Sequence, residues 1–333
     1  MTSALVTGGT GFIGSHVVRQ LLSRHIAVRC LVRAQSNRRN LDGLDVSYVL
    51  GDLRDAASLR LALRDCDQLY HIAADYRIWT RHPKEMERTN VEGTRQLFEA
   101  AGEAGLKRIV FTSSVAAVGR PESNGHLGIG REDLDPTPGQ LVGPYKRSKF
   151  ASDQLAREFA RKGLPIVIVN PAAPIGSHDI KPTPTGKLVV DFLNRRMPAY
   201  IDTGMNFVDV EDVAFGHWLA AEKGQIGERY ILGNQNMTLK EFMDTVARVA
   251  GLPAPRFKIP YAIAYVAGAV STGVSYLTNK EPAIPLDGVR MAHEPMYYDA
   301  SRAVRELGLP QTPVKTAIEK AVRWFRDNGY VRG

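Results

Sequence analysis

The segment Thr7-Gly8-Gly9-Thr10-Gly11-Phe12-Ile13-Gly14 constrains this chain more than any other. It sits between a short apolar run, Ser3–Thr7, and an amphipathic run, Ile13–Ser23. The first reads as a strand and the second as a helix. Gly9, Gly11 and Gly14 satisfy a GxGxxG spacing, and Gly8, Gly11 and Gly14 satisfy TGxxGxxG. A strand that turns this tightly into a helix needs residues without a Cβ, and the last glycine lets helix pack closely on strand. The unpaired amide N–H groups of such a helix start, at Phe12, Ile13 and Gly14, attract the phosphates of a dinucleotide.

The same alternation continues downstream. Strands are expected at Ser3–Thr7, Ala27–Val32, Val46–Leu50, Gln68–Ile72, Arg108–Thr112 and Ile166–Asn170. Helices are expected at Ile13–Ser23, Ala56–Leu63, Met86–Ala104 and Tyr145–Arg161, with Gly105 and Gly163 as stops. Strand and helix in alternation predict an α/β fold of Rossmann type, a parallel sheet with helices on both faces. Residues 1–170 form the nucleotide-binding unit in this reading. Residues 171–333 form a smaller substrate lobe, mostly helical, with segments returning to the main sheet. Within it a helix is expected near Val210–Ala221 and a strand at Arg229–Leu232.

Composition narrows the partners. The net charge of +8 permits attraction to phosphates or anionic lipid, but the basic residues are dispersed and no run resembles a nucleic-acid tail. Cys30 and Cys66 have no CxxC or Cys/His company, which predicts reduced thiols and neither a disulfide framework nor a metal site. The chain enters its first strand at Ala4-Leu5-Val6 with no signal-like segment, so a cytoplasmic protein is expected. Tyr261–Thr278 is eighteen residues without a charge. It reads as a buried or pocket-lining helix, or else as a helix lying on the inner membrane surface.

Several positions face the expected nucleotide. Arg33 ends the second strand, where a site selective for NAD carries Asp or Glu; a cation there suits the 2′-phosphate of NADP. Ser36, Arg38 and Arg39 can add contacts. NADP is therefore the expected cofactor, with NAD the alternative. Asp52-Leu53 after the third strand reads as an adenine contact, and Ala73-Ala74 after the fourth lets backbone approach the cofactor.

The chemistry is carried by Tyr145 and Lys149. Four residues apart on a helix, they share a face about 6 Å apart along its axis. A nearby ammonium is expected to favour phenolate and lower the tyrosine pKa. Tyr145 can then give a proton to a carbonyl oxygen or take one from an alcohol. Ser114, or its neighbour Ser113, supplies a hydroxyl to polarise the substrate oxygen. Asp75, Tyr76 and Trp79 follow the fourth strand, where a loop borders the pocket. With His178 and Phe207 they are the substrate-side candidates.

With these motifs in place the chain resembles the extended short-chain dehydrogenase/reductase family over nearly its whole length. Thr7–Gly14, Asp52-Leu53, His71–Ala74, Asn90–Thr94, Phe111–Ser114, Tyr145–Lys149 and Phe207–Ala214 carry the likeness. The resemblance implies a catalytic trio of Ser114, Tyr145 and Lys149, with Lys149 also on the nicotinamide ribose. It implies Asn90 close to the site, Asn170–Ile175 with Pro171 beside the nicotinamide, pro-S hydride transfer, and a homodimer. Within the family the chain is most similar to bacterial hopanoid-associated sugar epimerases, then to dihydroflavonol 4-reductase-like enzymes. It departs from the sugar-epimerase pattern at Arg33, at Val118 before Gly119, and at Asn170-Pro171, which points away from a nucleotide-diphosphate sugar.

Three functions follow. The first is an NADP-dependent oxidoreductase acting at a secondary alcohol or ketone of a small molecule, in hopanoid lipid metabolism. The second is an epimerase that oxidises transiently and keeps its nucleotide. The third is a non-catalytic NADP sensor or scaffold, a class that usually loses the tyrosine or the lysine; both stand here.

Overall fold

The computed structural model describes residues 2–331. The first half runs β1 (Ser3–Thr7), α1 (Phe12–Leu22), β2 (Ala27–Val32), β3 (Ser47–Leu50), α2 (Ala56–Leu63), β4 (Gln68–His71), α3 (Pro83–Glu87), α4 (Gly93–Ala104) and β5 (Arg108–Thr112). A small hairpin of β6 (Glu122–Ser123) and β7 (His126–Leu127) precedes α5 (Gly143–Arg161) and β8 (Ile166–Pro171). The second half runs β9 (Ala173–Ile175), α6 (Pro184–Leu193), β10 (Ala199–Ile201), β11 (Gly204–Asp209), α7 (Val210–Lys223), β12 (Arg229–Leu232) and β13 (Gln235–Thr238). It closes with α8 (Leu239–Ala250), β14 (Phe257–Ile259), α9 (Tyr261–Thr278), α10 (Leu286–Met291) and α11 (Val314–Asp327).

Seven strands form one parallel sheet in the order β12-β8-β5-β4-β1-β2-β3. β1, β5 and β8 are buried along nearly their whole length with apolar centres, as strands covered on both faces must be. One face packs Val17, Val18 and Leu21 of α1 with Val213 and Leu219 of α7. The other packs Leu59 of α2, Leu97 and Phe98 of α4, and Leu155 and Phe159 of α5. Strand order reverses between β1 and β4, which opens a crevice at their carboxyl ends. There Thr7 lies level with His71. His71 Nδ1 bonds Thr7 Oγ1 at 2.7 Å and its Nε2 bonds Thr94 Oγ1 at 2.9 Å, which ties two strands to α4. Burial pushes this imidazole down to about 3, so it is a neutral brace.

Two differences from the sequence reading bear on function. The run read as one helix, Met86–Ala104, is α3, a π turn over Arg88–Glu92, and α4. The widened turn carries Asn90, in keeping with the habit of π turns to mark functional positions. The part after Leu232, read as mostly helix, also contains β13 and β14. β13 joins β11 and β9 in a small mixed sheet, on which α6, α8 and α11 build a separate core around Phe207, Phe242 and Phe325.

Candidate active site

The glycine turn folds as its spacing demands. Gly8 adopts a φ of +73°, and a Cβ there would lie 2.7 Å from the Ala73 nitrogen. A Cβ on Gly14 would lie 2.0 Å from the Gly8 carbonyl oxygen, so helix and turn meet without room for a methyl group. Gly11 donates its N–H to that oxygen at 2.9 Å and begins α1 with no side-chain cap. A Cβ on Gly11 would meet only the Gly8 oxygen, at 3.2 Å. The amides of Phe12, Ile13 and Gly14 are the first of α1 and have no intrahelical acceptor, and this cradle fits a dinucleotide pyrophosphate.

Around it, Arg33 stands exposed one residue past β2, with its backbone N–H on Ser36 Oγ at 3.0 Å. Arg38 lies over the Tyr48 ring, 4.6 Å from its centroid. Arg39 donates to Asn328 Oδ1 at 2.7 Å. Asp52 is held by Arg54, whose hydrogen bonds keep the carboxyl below its usual range, and Arg33 adds a smaller effect in the same direction. Leu53 is buried against Gly93 at the start of α4. Ala73 lies on the Gly8 backbone, and Ala74 leads into the loop beside the crevice.

The three residues expected to react converge from β5 and α5. Ser114 follows β5 as the N-cap of a 3₁₀ turn, its Oγ accepting from Ala116 N–H at 3.1 Å. Pro144 starts α5 and puts Tyr145 in its first turn. The Tyr145 hydroxyl donates to Ser114 Oγ at 3.3 Å. Ser113 instead donates to Asp153 Oδ2 at 2.6 Å, which leaves Ser114 as the hydroxyl facing Tyr145.

The electrostatics differ from expectation. Lys149 was expected to make the phenol more acidic; in the structure the Tyr145 pKa is raised, because burial outweighs the bond to Ser114. Lys149 is itself buried and drops to about 8, with Asp153 only partly offsetting the loss of water. Its Nζ donates to the Thr112 carbonyl at 2.8 Å. Two groups taken out of water together each disfavour their charged form, and the neighbour's field does not reverse that.

Asn90 lies close to the candidate site, as expected: its Oδ1 accepts from Asp75 N–H at 2.7 Å, and its Nδ2 donates to the Asp75 carbonyl and to Ser148 Oγ, between Tyr145 and Lys149. With both amide hydrogens used, Asn90 fastens the loop after β4 to α5. Asp75 is chelated by Arg77, and Tyr76 is partly exposed in the same loop. Trp79 meets Tyr276 of α9 edge-on at 5.9 Å. His178, expected on the substrate side, packs between His16 of α1 and Trp324 of α11, and no bond or ring contact joins it to Ser114 or Tyr145. Phe207 is stacked on Phe242 at 4.1 Å inside the second core and does not line the site.

A polar core behind the trio escaped the sequence reading. Asp153, fully buried, binds Ser113, accepts from Asn170 Nδ2 at 3.2 Å, and faces Arg229 and Arg157 at 3.6 and 3.3 Å. Asn170 Nδ2 also donates to the Ser114 carbonyl, next to Pro171 at the end of β8. The available signal was spacing: Asp153 is four residues past Lys149 on one helix face. A larger open cavity of about 850 Å³, between β13, α8 and α11, holds none of these groups. Among the described residues no cluster of three or more His, Cys, Asp or Glu could hold a metal ion.

A Rossmann sheet, a glycine cradle at its switch point and a Ser-Tyr-Lys trio beside it define an enzyme of the extended short-chain dehydrogenase/reductase type. The chain belongs to the NAD dependent epimerase/dehydratase family, whose model matches residues 4–233. It is 44% identical over 331 residues to a putative dihydroflavonol 4-reductase of Synechocystis, covering 98% of this chain and 95% of that protein. It is 36% identical to sterol demethylase protein B of Methylococcus capsulatus, covering 99% and 100% of the two chains. The crystal structure of a protein named gox2253 superposes with a TM-score of 0.88 at 40% identity, each chain covered fully.

Proposed function

We propose that this enzyme is an NADPH-dependent reductase of a ketone on an apolar, lipid-class substrate, hopanoids being the group its family likeness suggests. The observation that carries this reading is the pairing of the Tyr145 hydroxyl with Ser114 Oγ. Burial raises the pKa of this phenol, so it holds a proton that it can give to a developing alkoxide. The choice of reduction over epimerisation rests on the relatives' names. The hydroxyls of Ser114 and Tyr145 are 3.3 Å apart, so one substrate oxygen can receive a hydrogen bond from each. Lys149, anchored on Thr112, places a mostly protonated amine behind the tyrosine. The nicotinamide, when bound, supplies the hydride. Arg33 supports NADP over NAD because it puts a cation where a 2′-phosphate would lie. The names of the two relatives, a putative dihydroflavonol 4-reductase and a sterol demethylase protein, support reduction and a polycyclic substrate class.

The test is to purify the protein, identify any retained nucleotide and follow NADPH oxidation with polycyclic ketones. Exchangeable NADPH and net turnover are expected. Tyr145→Phe should lower turnover by about 10²–10⁴ while nucleotide still binds. The name of the matched family favours one second reading, epimerisation. Tightly held oxidised nucleotide with no net consumption would establish that reading and reject the first.

A further inference from the structure

α9 carries no charged residue, yet most of it faces outward. Ile263, Val266, Val270 and Leu277 are 61, 61, 62 and 87% exposed. Their spacing, i, i+3, i+7 and i+14, puts them on one helix face. The opposite side is a stripe of small residues, Ala264, Gly268 and Ser275, with Gly268 set against Leu286 and Val289 of α10. The expectation of a buried helix is therefore not met: its large aliphatic side chains point away from the protein and its small ones toward it. No helix of the described residues is long and apolar enough to cross a membrane.

The charges at the two ends of α9 say what covers this face. Arg256 precedes it, and Arg81 and Lys280 lie at its far end. Among the described residues none of the three has a carboxylate partner: Arg81 bonds the Tyr276 carbonyl and Asn279. Lys258 is paired with Asp202, and Glu281 is the remaining exposed acid beside Lys280. An apolar face with cations at both ends matches an anionic lipid surface. A second copy fits worse. Packed antiparallel it would bring Arg256 toward Lys280 and Arg81, and packed parallel each cation would face its twin.

α9 also packs on the loop that Asn90 ties to α5. Its Tyr276 meets Trp79 of the loop after β4, where the buried Trp79 Nε1 has no partner. Asp287 of α10 reaches so near Gly143 that a Cβ there would lie 2.9 Å from its Oδ2, two residues before Tyr145. We propose that the exposed face of α9 beds on an anionic membrane surface and holds the substrate side of the site against the bilayer. The binding stands apart from the direction of catalysis and is read without it.

The test is sedimentation of the full-length protein with vesicles of phosphatidylcholine alone and of phosphatidylcholine with phosphatidylglycerol. Binding to the second kind, weakened by salt, is expected. A V266Q/V270Q/L277Q variant should lose it, each side chain counting for about tenfold in partition. R256Q/K280Q should retain weak binding and lose the preference for anionic lipid. Unchanged circular dichroism and nucleotide affinity would show that both variants fold. Wild-type protein that stays in the supernatant with anionic vesicles would overturn the proposal, as would a triple variant that binds like wild type. A lipid-free dimer that dissociates in the triple variant would assign the face to a second copy and equally overturn it.

Discussion

Replacing Lys149 with methionine should make the protein more stable and leave it nearly inactive. The buried amine falls from 10.5 to about 8, which corresponds to about 3 kcal/mol by which the fold disfavours its charged form. At neutral pH both folded and unfolded chains hold this proton, so the native state carries the whole cost. Methionine fills most of the stem volume without charge. It forfeits the bond from the ammonium to the Thr112 carbonyl, worth about 2 kcal/mol. The net gain at neutral pH is about 1 kcal/mol. Between about 8 and 10.5 the folded wild type has released the proton while the unfolded chain still binds it. Wild-type stability therefore rises through that window, and the advantage of the variant disappears. Denaturant unfolding of both proteins across the window measures the gap. A variant less stable than wild type at neutral pH, or a gap that stays constant as the pH rises, would show that Lys149 carries no such cost.

Three further outcomes follow from contacts described above. Gly14→Ala should raise the nucleotide dissociation constant at least about tenfold, because its methyl group lands 2.0 Å from the Gly8 oxygen; a fluorescence titration matching wild type would contradict the close packing of turn and helix. Arg33→Asp should lower NADP affinity by about tenfold or more relative to NAD, and an unchanged ratio would remove Arg33 from cofactor selection. Asp153→Ala should cost about 3 kcal/mol, the low end for breaking a buried pair, since Asp135 still holds Arg229 at 3.0 Å. Equal midpoints in thermal unfolding would mean that Asp153 is not what secures Arg229.

The sheet was legible because parallel strands buried on both faces announce themselves as apolar runs, and because the turn at Gly8–Gly14 admits few alternatives. The trio was legible from spacing, since i and i+4 on a helix share a face wherever that helix is placed. What spacing does not carry is solvation. Tyr145 and Lys149 were close enough to interact on paper, and only their shared burial shows which protonation state wins. β13 and β14 were missed because Gln235–Thr238 is mostly polar and Phe257–Ile259 has three residues, too few for a period of two to register. α9 misled for another reason. Absence of charge is usual for a buried helix, and nothing in its composition says which side its small residues take.

The position of β12 has a consequence for how the polypeptide matures. It is the edge strand that pairs with β8, and it is supplied some sixty residues later than its neighbour. Until residue 232 has left the ribosome, β8 presents an unpaired backbone margin along the apolar run Ile166–Val169. Arg229, which clasps Asp153 behind Ser113 and Ser114, arrives with the same strand. A fragment ending at 170 would thus hold every glycine of the cradle and all three reacting side chains, yet expose an adhesive border that favours clumping over assembly.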